Sequence, residues 1–130
     1  MRIAVSSTGI NLDASVDPRF GRCVQFLIVE TDNMSFQVFN NQAQFEGHGA
    51  GISAAQNILS QNINVIITGN IGPNAFRVVQ AANVKVYMSG GNIKEAINKL
   101  LNNELPHQNA PTNTGHYGRG SGAGRGRGRN

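Results

Sequence analysis

Short β-type runs alternate with helical segments in the second half of the chain, and this alternation restricts the possible folds. The runs at 65–68 and 84–88 are rich in β-branched and aromatic residues. Glycine-containing loops at 47–51, 69–72 and 89–92 each lead into a segment with apolar residues at helical spacing. A helix that connects two strands of one sheet crosses over in a right-handed sense and leaves the strands parallel. The later strands are therefore predicted to be parallel.

The first 40 residues predict an antiparallel unit that joins the same sheet. A strand at 3–5 is followed, after a long polar loop, by β-rich runs at 24–30 and 35–40. The residues at 31–34 between these runs are typical of a hairpin turn. The element order is thus β-β-β-α-β-α-β-α. The predicted fold class is α/β, with a five-stranded mixed sheet flanked by helices in three layers.

Charge is distributed unevenly along the chain. Four of the eleven basic residues are Arg119, Arg125, Arg127 and Arg129, and the other seven equal the acidic residues in number. The segment 106–130 has almost no aliphatic side chains, so we expect a domain at 1–105 followed by a disordered Gly/Arg-rich tail. Nucleic-acid binding is expected only through that tail, where arginines could contact phosphates.

Cysteine content and hydropathy restrict the compartment. The single cysteine, Cys23, excludes an intramolecular disulfide. The N-terminal segment enters a strand pattern without the layout of a signal peptide, and no apolar run approaches the roughly 18 residues of a membrane helix. We therefore expect a cytoplasmic protein without a membrane partner.

The predicted topology brings four loops to one edge of the sheet. Strands one, three, four and five would end there, so the stretch 9–22 would join the loops at 47–51, 69–72 and 89–92. Ligands commonly bind at this carboxyl edge in α/β proteins. Helix N-termini offer unpaired N–H groups, and glycines allow close approach of the backbone. This edge is therefore predicted to form an anion-binding cleft.

Side chains near these loops indicate what the cleft could hold. Arg19 and Arg22 would make it locally positive, although both also fit solvated surface charges. Cys23 and His48 are the only thiol and imidazole of the body, and together they could contact iron, copper or molybdenum in a cluster. Cys23 also fits a small buried apolar residue, and two ligands are too few for a closed metal site.

The glycine loops also have an explanation without a ligand. Gly69 and Gly72 would suit a tight turn between a strand and a helix. The run 47–51 lacks the Lys-Ser/Thr ending of a phosphate-binding P-loop. A nucleotide site is therefore not favoured.

Three segments carry a resemblance to known proteins. They are 16–23 (Val-Asp-Pro-Arg-Phe-Gly-Arg-Cys), 47–51 (Gly-His-Gly-Ala-Gly) and 68–76 (Thr-Gly-Asn-Ile-Gly-Pro-Asn-Ala-Phe). In this order and spacing they resemble the dinitrogenase iron-molybdenum cofactor biosynthesis family, which includes proteins similar to NifX, to the C-terminal part of NifB and to the orange protein. The resemblance covers about residues 1–105.

The resemblance implies a ribonuclease H-like fold and a role without catalysis. A member would bind or carry a metal–sulfur cluster that contains molybdenum, iron or copper, or a precursor of it. Its partners would be cofactor-assembly proteins or proteins that accept the cluster. The positions that match the family motifs are Arg19, Phe20, Gly21, Arg22, His48, Gly49, Gly51, Gly69, Asn70, Gly72, Pro73 and Asn74.

Nuclease activity, which the fold name alone suggests, is disfavoured by the residues. Such hydrolysis needs converging carboxylates that hold two divalent metals, and the first strand ends in Ser6 and Ser7 instead. Three hypotheses remain: a cluster carrier that uses the loop-lined cleft, a nucleic-acid-binding module that acts through the tail, and, on composition alone, a tail that captures metal through His107 and His116.

Overall fold

The centre of the molecule is one mixed β-sheet, seen in a computed structural model that describes residues 1–108 and 110–111. Its strands are β1 (Arg2–Ser7), β2 (Gln25–Glu30), β3 (Ser35–Asn40), β4 (Val65–Thr68), β5 (Lys85–Met88) and β6 (His107–Gln108). The helices are α1 (Ala50–Leu59), α2 (Pro73–Ala81) and α3 (Ile93–Leu101), and a short 3-10 turn at Gln42–Phe45 precedes α1. Across the sheet the strands lie in the order β3-β2-β1-β4-β5-β6.

The strand directions confirm the predicted topology. β2 runs antiparallel to β1, and β3 runs antiparallel to β2. β4 pairs parallel with β1, and β5 pairs parallel with β4. The carboxyl ends of β1, β3, β4 and β5 therefore lie along one edge of the sheet.

Alternation along the strands divides the core between the two faces of the sheet. Ala4, Ile28 and Ile66 pack with α1 and α2 on one face. On the other face, Val5 and Ile67 pack with α3. The structure thus has helices on both sides of the sheet, and the predicted three-layer ribonuclease H-like arrangement is confirmed.

Small local signals set the ends of the helices. α1 begins after Gly49, whose φ of +73° is left-handed, and α2 begins at Pro73, a residue favoured in the first helical turn. The side chain of Asn92 accepts a hydrogen bond from the N–H of Glu95 and caps α3. Asn83 and Asn103 take left-handed φ values of +62° and +58° just after α2 and α3, so asparagine ends both helices.

The two-residue strand β6 adds a sixth strand to the five-stranded mixed sheet that the sequence predicts. His107 pairs with Tyr87 and Gln108 with Val86, antiparallel to β5. Both residues fall in the segment 106–130 that the sequence predicts to be a disordered tail. Their pairing covers backbone groups on part of β5 that would otherwise form an open sheet edge, a tertiary effect that local composition does not reveal.

The rest of the predicted tail stays a prediction. Residues 109 and 112–130, with Arg119, Arg125, Arg127 and Arg129, lie outside the described residues. Within the described part of the chain, no helix has the length and apolar character needed to cross a membrane.

Candidate functional site

A cleft of about 390 Å³ opens at the carboxyl edge of the sheet. Three segments form its walls: 18–21 from the loop after β1, 49–52 at the start of α1, and 70–75 between β4 and α2. These belong to three of the four loops that the predicted topology brings together. The cleft thus lies where the first turns of two helices face the loop after β1.

The fourth predicted loop, 89–92, does not line the cleft. Its backbone is engaged by the distal part of the first loop: Val16 N–H donates to Gly91 O at 2.8 Å, and Ile93 N–H donates to Ala14 O at 2.9 Å. Because these bonds hold 89–92 against residues 14–16, the expectation that all four loops share the site is corrected to three.

Two glycines allow the cleft-forming segments to approach closely. A Cβ on Gly69 would lie 2.6 Å from Cα of Pro18, and one on Gly21 would lie 2.8 Å from N of Gly51. Any side chain at either position would force the backbones apart. Gly69, a predicted site residue, therefore supports the loop after β1 from behind and is not among the residues that line the cleft.

Asp17 holds Arg19 at the wall of the cleft. The Asp17 residue is only 2% exposed, and its carboxylate accepts hydrogen bonds from the Arg19 backbone N–H at 2.8 Å and from Arg19 Nε and Nη2 at 3.1 Å each. The Ser6 hydroxyl donates to Asp17 O at 2.7 Å and ties this turn to β1. Hydrogen bonds from Arg19 to Asp17, and then the charge of Asp17, raise the pKa of the guanidinium. Arg19 is thus a fixed cation.

Arg19 can still contact a ligand. Its side chain is 63% exposed and lines the cleft. The bonds to Asp17 use Nε and Nη2, and Nη1 has no partner among the residues that the structure describes. The two N–H groups of Nη1 therefore remain available to an anion.

The first turn of α1 adds backbone donors. The N-cap Gly49 provides no side-chain cap, and the first helical bond runs from Ser53 N–H to Gly49 O at 2.9 Å. Ala50, Gly51 and Ile52 all line the cleft, and within the described part of the chain their N–H groups have no acceptor. Unpaired N–H groups and the helix dipole both favour negative charge at this point.

The first turn of α2 is arranged in a similar way. Phe76 N–H donates to Gly72 O at 3.0 Å, and the N–H groups of Asn74 and Ala75 have no acceptor in the described chain. Asn70, Gly72, Asn74 and Ala75 line the cleft. Two helix N-termini therefore converge on one cavity, which makes the site more favourable for an anion than either terminus alone.

Arg77 is a basic residue that does not line the cleft but contacts the lining residue Asn74, and sequence reasoning missed it. Its Nη1 donates to Asn74 Oδ1 at 3.3 Å, so the two side chains lie together at the start of α2. Both are exposed. The sequence could have indicated this contact, because Asn74 and Arg77 are three residues apart on a helix that begins at Pro73, and residues three apart lie on the same helical face.

The cleft is polar in its donors and apolar over much of its remaining wall. Among the residues that the structure describes, Arg19 is the only charged one that lines it, and no acidic residue does. Ile52 and Pro73 are half-buried and supply apolar surface. No group of three or more His, Cys, Asp or Glu residues in the described chain could hold a metal ion. The donor set therefore fits an anion with an apolar or weakly hydrated surface, and it does not fit a bare metal cation.

The structure does not bring Cys23 into the cleft. Cys23 is 0% exposed, it belongs to the core cluster on the α1 and α2 face, and its thiol contacts Phe20 O at 3.5 Å. Burial, followed by the charge of Asp17, raises the pKa of the thiol to about 12. A thiol that stays protonated and enclosed is a poor metal ligand, so the geometry supports the buried apolar role that the sequence also allowed.

The structure also separates His48 and Arg22 from the cleft wall. His48 is exposed beside Gly49 and is not a lining residue. Arg22 donates to the backbone carbonyls of Gln44 at 2.9 Å, of Glu46, and of Gly47 at 3.3 Å. Arg22 thus holds the segment that leads into α1 and is engaged by the protein itself.

Comparison with known proteins gives one family. The family model for the dinitrogenase iron-molybdenum cofactor matches residues 1–103. An uncharacterized protein of Methanocaldococcus jannaschii is 35% identical over 94 residues, which are 69% of this chain and 80% of that protein.

Two solved structures of similar sequence share the fold. The apo form of the orange protein from Desulfovibrio gigas is 38% identical, with a TM-score of 0.82, and the match covers 85% of this chain and 95% of that one. The NMR structure of a candidate NifB protein from Thermotoga is 34% identical, with a TM-score of 0.75 and coverage of 88% and 98%.

Proposed function

Because the chain belongs to the dinitrogenase iron-molybdenum cofactor family, we propose that it binds an anionic metal–sulfur cluster, or a precursor of one, in the cleft and carries it without chemical turnover. The observation that supports this most directly is the composition of the cleft wall. Two helix N-termini and Arg19 supply hydrogen-bond donors, and no acidic side chain of the described chain lines the cavity.

The chemistry of such a cargo matches this wall. Sulfide atoms bound to molybdenum, iron or copper carry negative charge over a large, polarisable surface. Backbone N–H groups of Gly51 and Asn74, together with Nη1 of Arg19, can donate to that surface. Ile52 and Pro73, which are half-buried at the wall, can contact the parts of the anion that have no donor opposite them.

The way in which the cargo would be held suits a carrier. No cysteine or histidine within the described residues lines the cavity, so binding would rest on hydrogen bonds and charge rather than on bonds between protein and metal. Such a cargo can leave without ligand exchange at the metal. In this proposal Asp17 acts as a positioning residue, because it orients Arg19 and does not itself face the cargo.

Partners follow from this function. A carrier must receive its cluster from one protein and give it to another, so we include cofactor-assembly proteins and cluster acceptors in the proposal. The matched family is named for the iron-molybdenum cofactor, and the orange protein of similar fold exists in an apo form. Both facts support a protein of this fold that exists with and without a bound group.

The proposal is tested with tetrathiomolybdate, a diamagnetic anion of molybdenum and sulfide. The full chain would be purified without oxygen and dialysed to equilibrium against the anion, with bound molybdenum measured by elemental analysis. Arg19→Gln should weaken binding at least about tenfold, because it removes a charged donor from the site. Lys94→Gln removes the same charge from α3, on the other face of the sheet, and should leave binding unchanged.

A second variant guards against misfolding of Arg19→Gln, which removes the guanidinium bonds to the buried Asp17 carboxylate. Gly72 lines the cleft, its φ of −78° is ordinary, and a Cβ there would have no neighbour within 4 Å. Gly72→Val should therefore keep the fold, and it should reduce binding because the valine side chain would take up space at the cleft wall. Gly90→Val, at an equally open glycine outside the cleft, is its control. Equal affinity in all four variants, or no binding by the unchanged protein, would contradict the proposal.

A further inference from the structure

The outer edge of β3 is open in the structure. β3 lies at the end of the strand order, and only β2 pairs with it among the residues described. Its six residues pair with β2 in continuous register, without a bulge. An open strand edge presents unpaired N–H and C=O groups and can pair with another strand.

The edge lacks the features that usually protect such strands. β3 has the sequence Ser-Phe-Gln-Val-Phe-Asn, with no charged residue and no proline. Natural edge strands are commonly short, charged, bulged or covered. Phe36 and Val38 are each 41% exposed, so apolar side chains accompany the open backbone.

The hydrogen-bond pattern shows which backbone groups are free to pair. Asn41 N–H donates to Val24 O at 3.0 Å, so this pair is hydrogen-bonded. Antiparallel pairs alternate between hydrogen-bonded and non-hydrogen-bonded, so the next bonded residue of β3 toward its start is Phe39. The backbone groups of Phe36, Val38 and Asn40 therefore point away from β2.

Phe36 and Val38 also share a face. They pair with Val29 and Leu27, which belong to the core cluster under α3. Their side chains therefore extend the apolar face of the sheet beyond the helix that covers it. A partner strand at this edge would gain apolar contacts as well as backbone hydrogen bonds.

We propose that β3 pairs antiparallel with β3 of a second copy of this chain, with a twofold axis at Gln37. This register brings outward backbone groups opposite each other, because Phe36 lies opposite Val38 of the partner subunit and Val38 lies opposite Phe36 of the partner subunit. The uncharged strand meets itself without electrostatic repulsion. The pairing would join two sheets into one.

The other edge of the sheet favours a closed pair over a filament. β6 covers Val86 and Tyr87 of β5, so that edge differs from β3 and is partly occupied. Pairing of β3 with itself is isologous and ends with two copies, whereas pairing of unlike edges would continue without limit. Since the two copies run antiparallel, their clefts face opposite ends of the dimer and both stay accessible.

The small contact implies a weak dimer. A standard interface buries about 800 Å² per partner, and one six-residue strand offers less than this. We therefore expect a dissociation constant of about 10–100 µM, measurable by sedimentation equilibrium of the full chain between about 5 and 500 µM. Val38→Lys should weaken association at least about tenfold, because two lysines would enter an uncharged contact. Val24→Lys alters a 51% exposed valine outside β3 and is the matched control.

A cysteine variant tests the register independently of stability. In the proposed dimer Gln37 faces its own counterpart at a non-hydrogen-bonded position, where Cα atoms are about 4.5 Å apart and a disulfide can form. Gln37→Cys should therefore give a covalent dimer under mild oxidation, while Gln80→Cys, on an exposed position of α2, should not. The native Cys23 is buried and would not interfere.

The sedimentation and cysteine experiments together test the pairing of β3 with itself. Concentration-dependent dimers that Val38→Lys weakens and Gln37→Cys traps would support the pairing. A protein that stays monomeric up to about 500 µM would overturn it, since a dimer with the expected dissociation constant of about 10–100 µM would be mostly associated at that concentration. A dimer that neither variant affects would also overturn it, because the contact would then lie elsewhere. Cargo binding is not involved, so the result is independent of the proposed function.

Discussion

Gly69→Ala is the substitution that most sharply tests how the cleft is assembled. The added Cβ would lie 2.6 Å from Cα and 3.1 Å from Cβ of Pro18, whereas ordinary contacts begin at 3.4 Å. The nearest atom belongs to the backbone, so no flexible side chain can simply turn aside. The two segments would have to separate by about 0.8 Å.

The size of the effect follows from two opposing terms. Overpacking that shifts the backbone costs about 1–3 kcal/mol in unfolding free energy. The Gly→Ala change also restricts the unfolded chain, which stabilises the folded state by about 0.4–1 kcal/mol. We therefore expect a net loss of about 1–2 kcal/mol, or a Tm that is about 5–10 °C lower for a domain of this size.

Urea unfolding followed by circular dichroism measures this loss, and Gly72→Ala is the control. Gly72 ends the same loop, but a Cβ there meets nothing within 4 Å and its φ is −78°. In Gly72→Ala, the lower entropy of the unfolded chain stabilises the fold, while alanine is a weaker N-cap of α2 than glycine. The two effects on the unfolding free energy should cancel to within about 0.5 kcal/mol. Equal unfolding midpoints for Gly69→Ala and Gly72→Ala would refute the close approach of Gly69 to Pro18.

Three further predictions concern single side chains. The pKa of the Cys23 thiol is raised to about 12 in the folded protein, so the thiol of the unfolded chain should lose its proton first as the pH rises above about 9. The unfolding free energy of the unchanged protein should therefore fall by up to about 1.4 kcal/mol per pH unit relative to Cys23→Ala, as measured by urea unfolding. Arg22→Gln should speed amide hydrogen exchange at 44–47, because the three carbonyl contacts are lost, and Lys94→Gln should not. Asn83→Gly should raise the unfolding free energy by about 0.5 kcal/mol, because φ at this position is +62°, whereas Asn98→Gly inside α3 should lower it by a few tenths of a kcal/mol.

Much of the fold could be predicted because its signals are local. Ile93, Ala96, Ile97 and Leu100 follow the helical period, and all four are buried beneath α3 in the structure. The four residues Val65–Thr68 are all β-branched and form a fully buried strand. Alternation of such segments leaves few topologies, so the strand directions followed from rules of connection rather than from any single residue.

Part of the candidate site could be predicted for the same reason. Once the strands are parallel, the loops after β1 and β4 and the start of α1 must meet, and three of the four predicted loops do so. The fourth loop could not be placed, because its position depends on the bonds that Val16 and Ile93 make with Gly91 and Ala14. Those bonds join residues that are far apart in sequence and that carry no pairing signal.

Side-chain direction was the harder problem. Arg22 and Val24 are exposed while Cys23 between them is 0% exposed, which is the alternation of an extended chain. This alternation could have indicated that Cys23 points away from Arg22 and is not a metal ligand, but it could not show where the chain turns. The engagement of Arg22 by carbonyls at 44, 46 and 47 depends on the path of another loop. Sequence reasoning identifies residue types near a site better than their direction.

Backbone donors at two helix N-termini and Arg19 together form the proposed anion site. A ¹⁵N–¹H NMR titration of the full chain with tetrathiomolybdate can locate this site, because it reports each backbone amide separately. We predict the largest shifts at the N–H groups of Ala50, Gly51, Ile52, Asn74 and Ala75. Shifts that centre instead on residues 89–92 or on α3, or a spectrum that does not change, would contradict it.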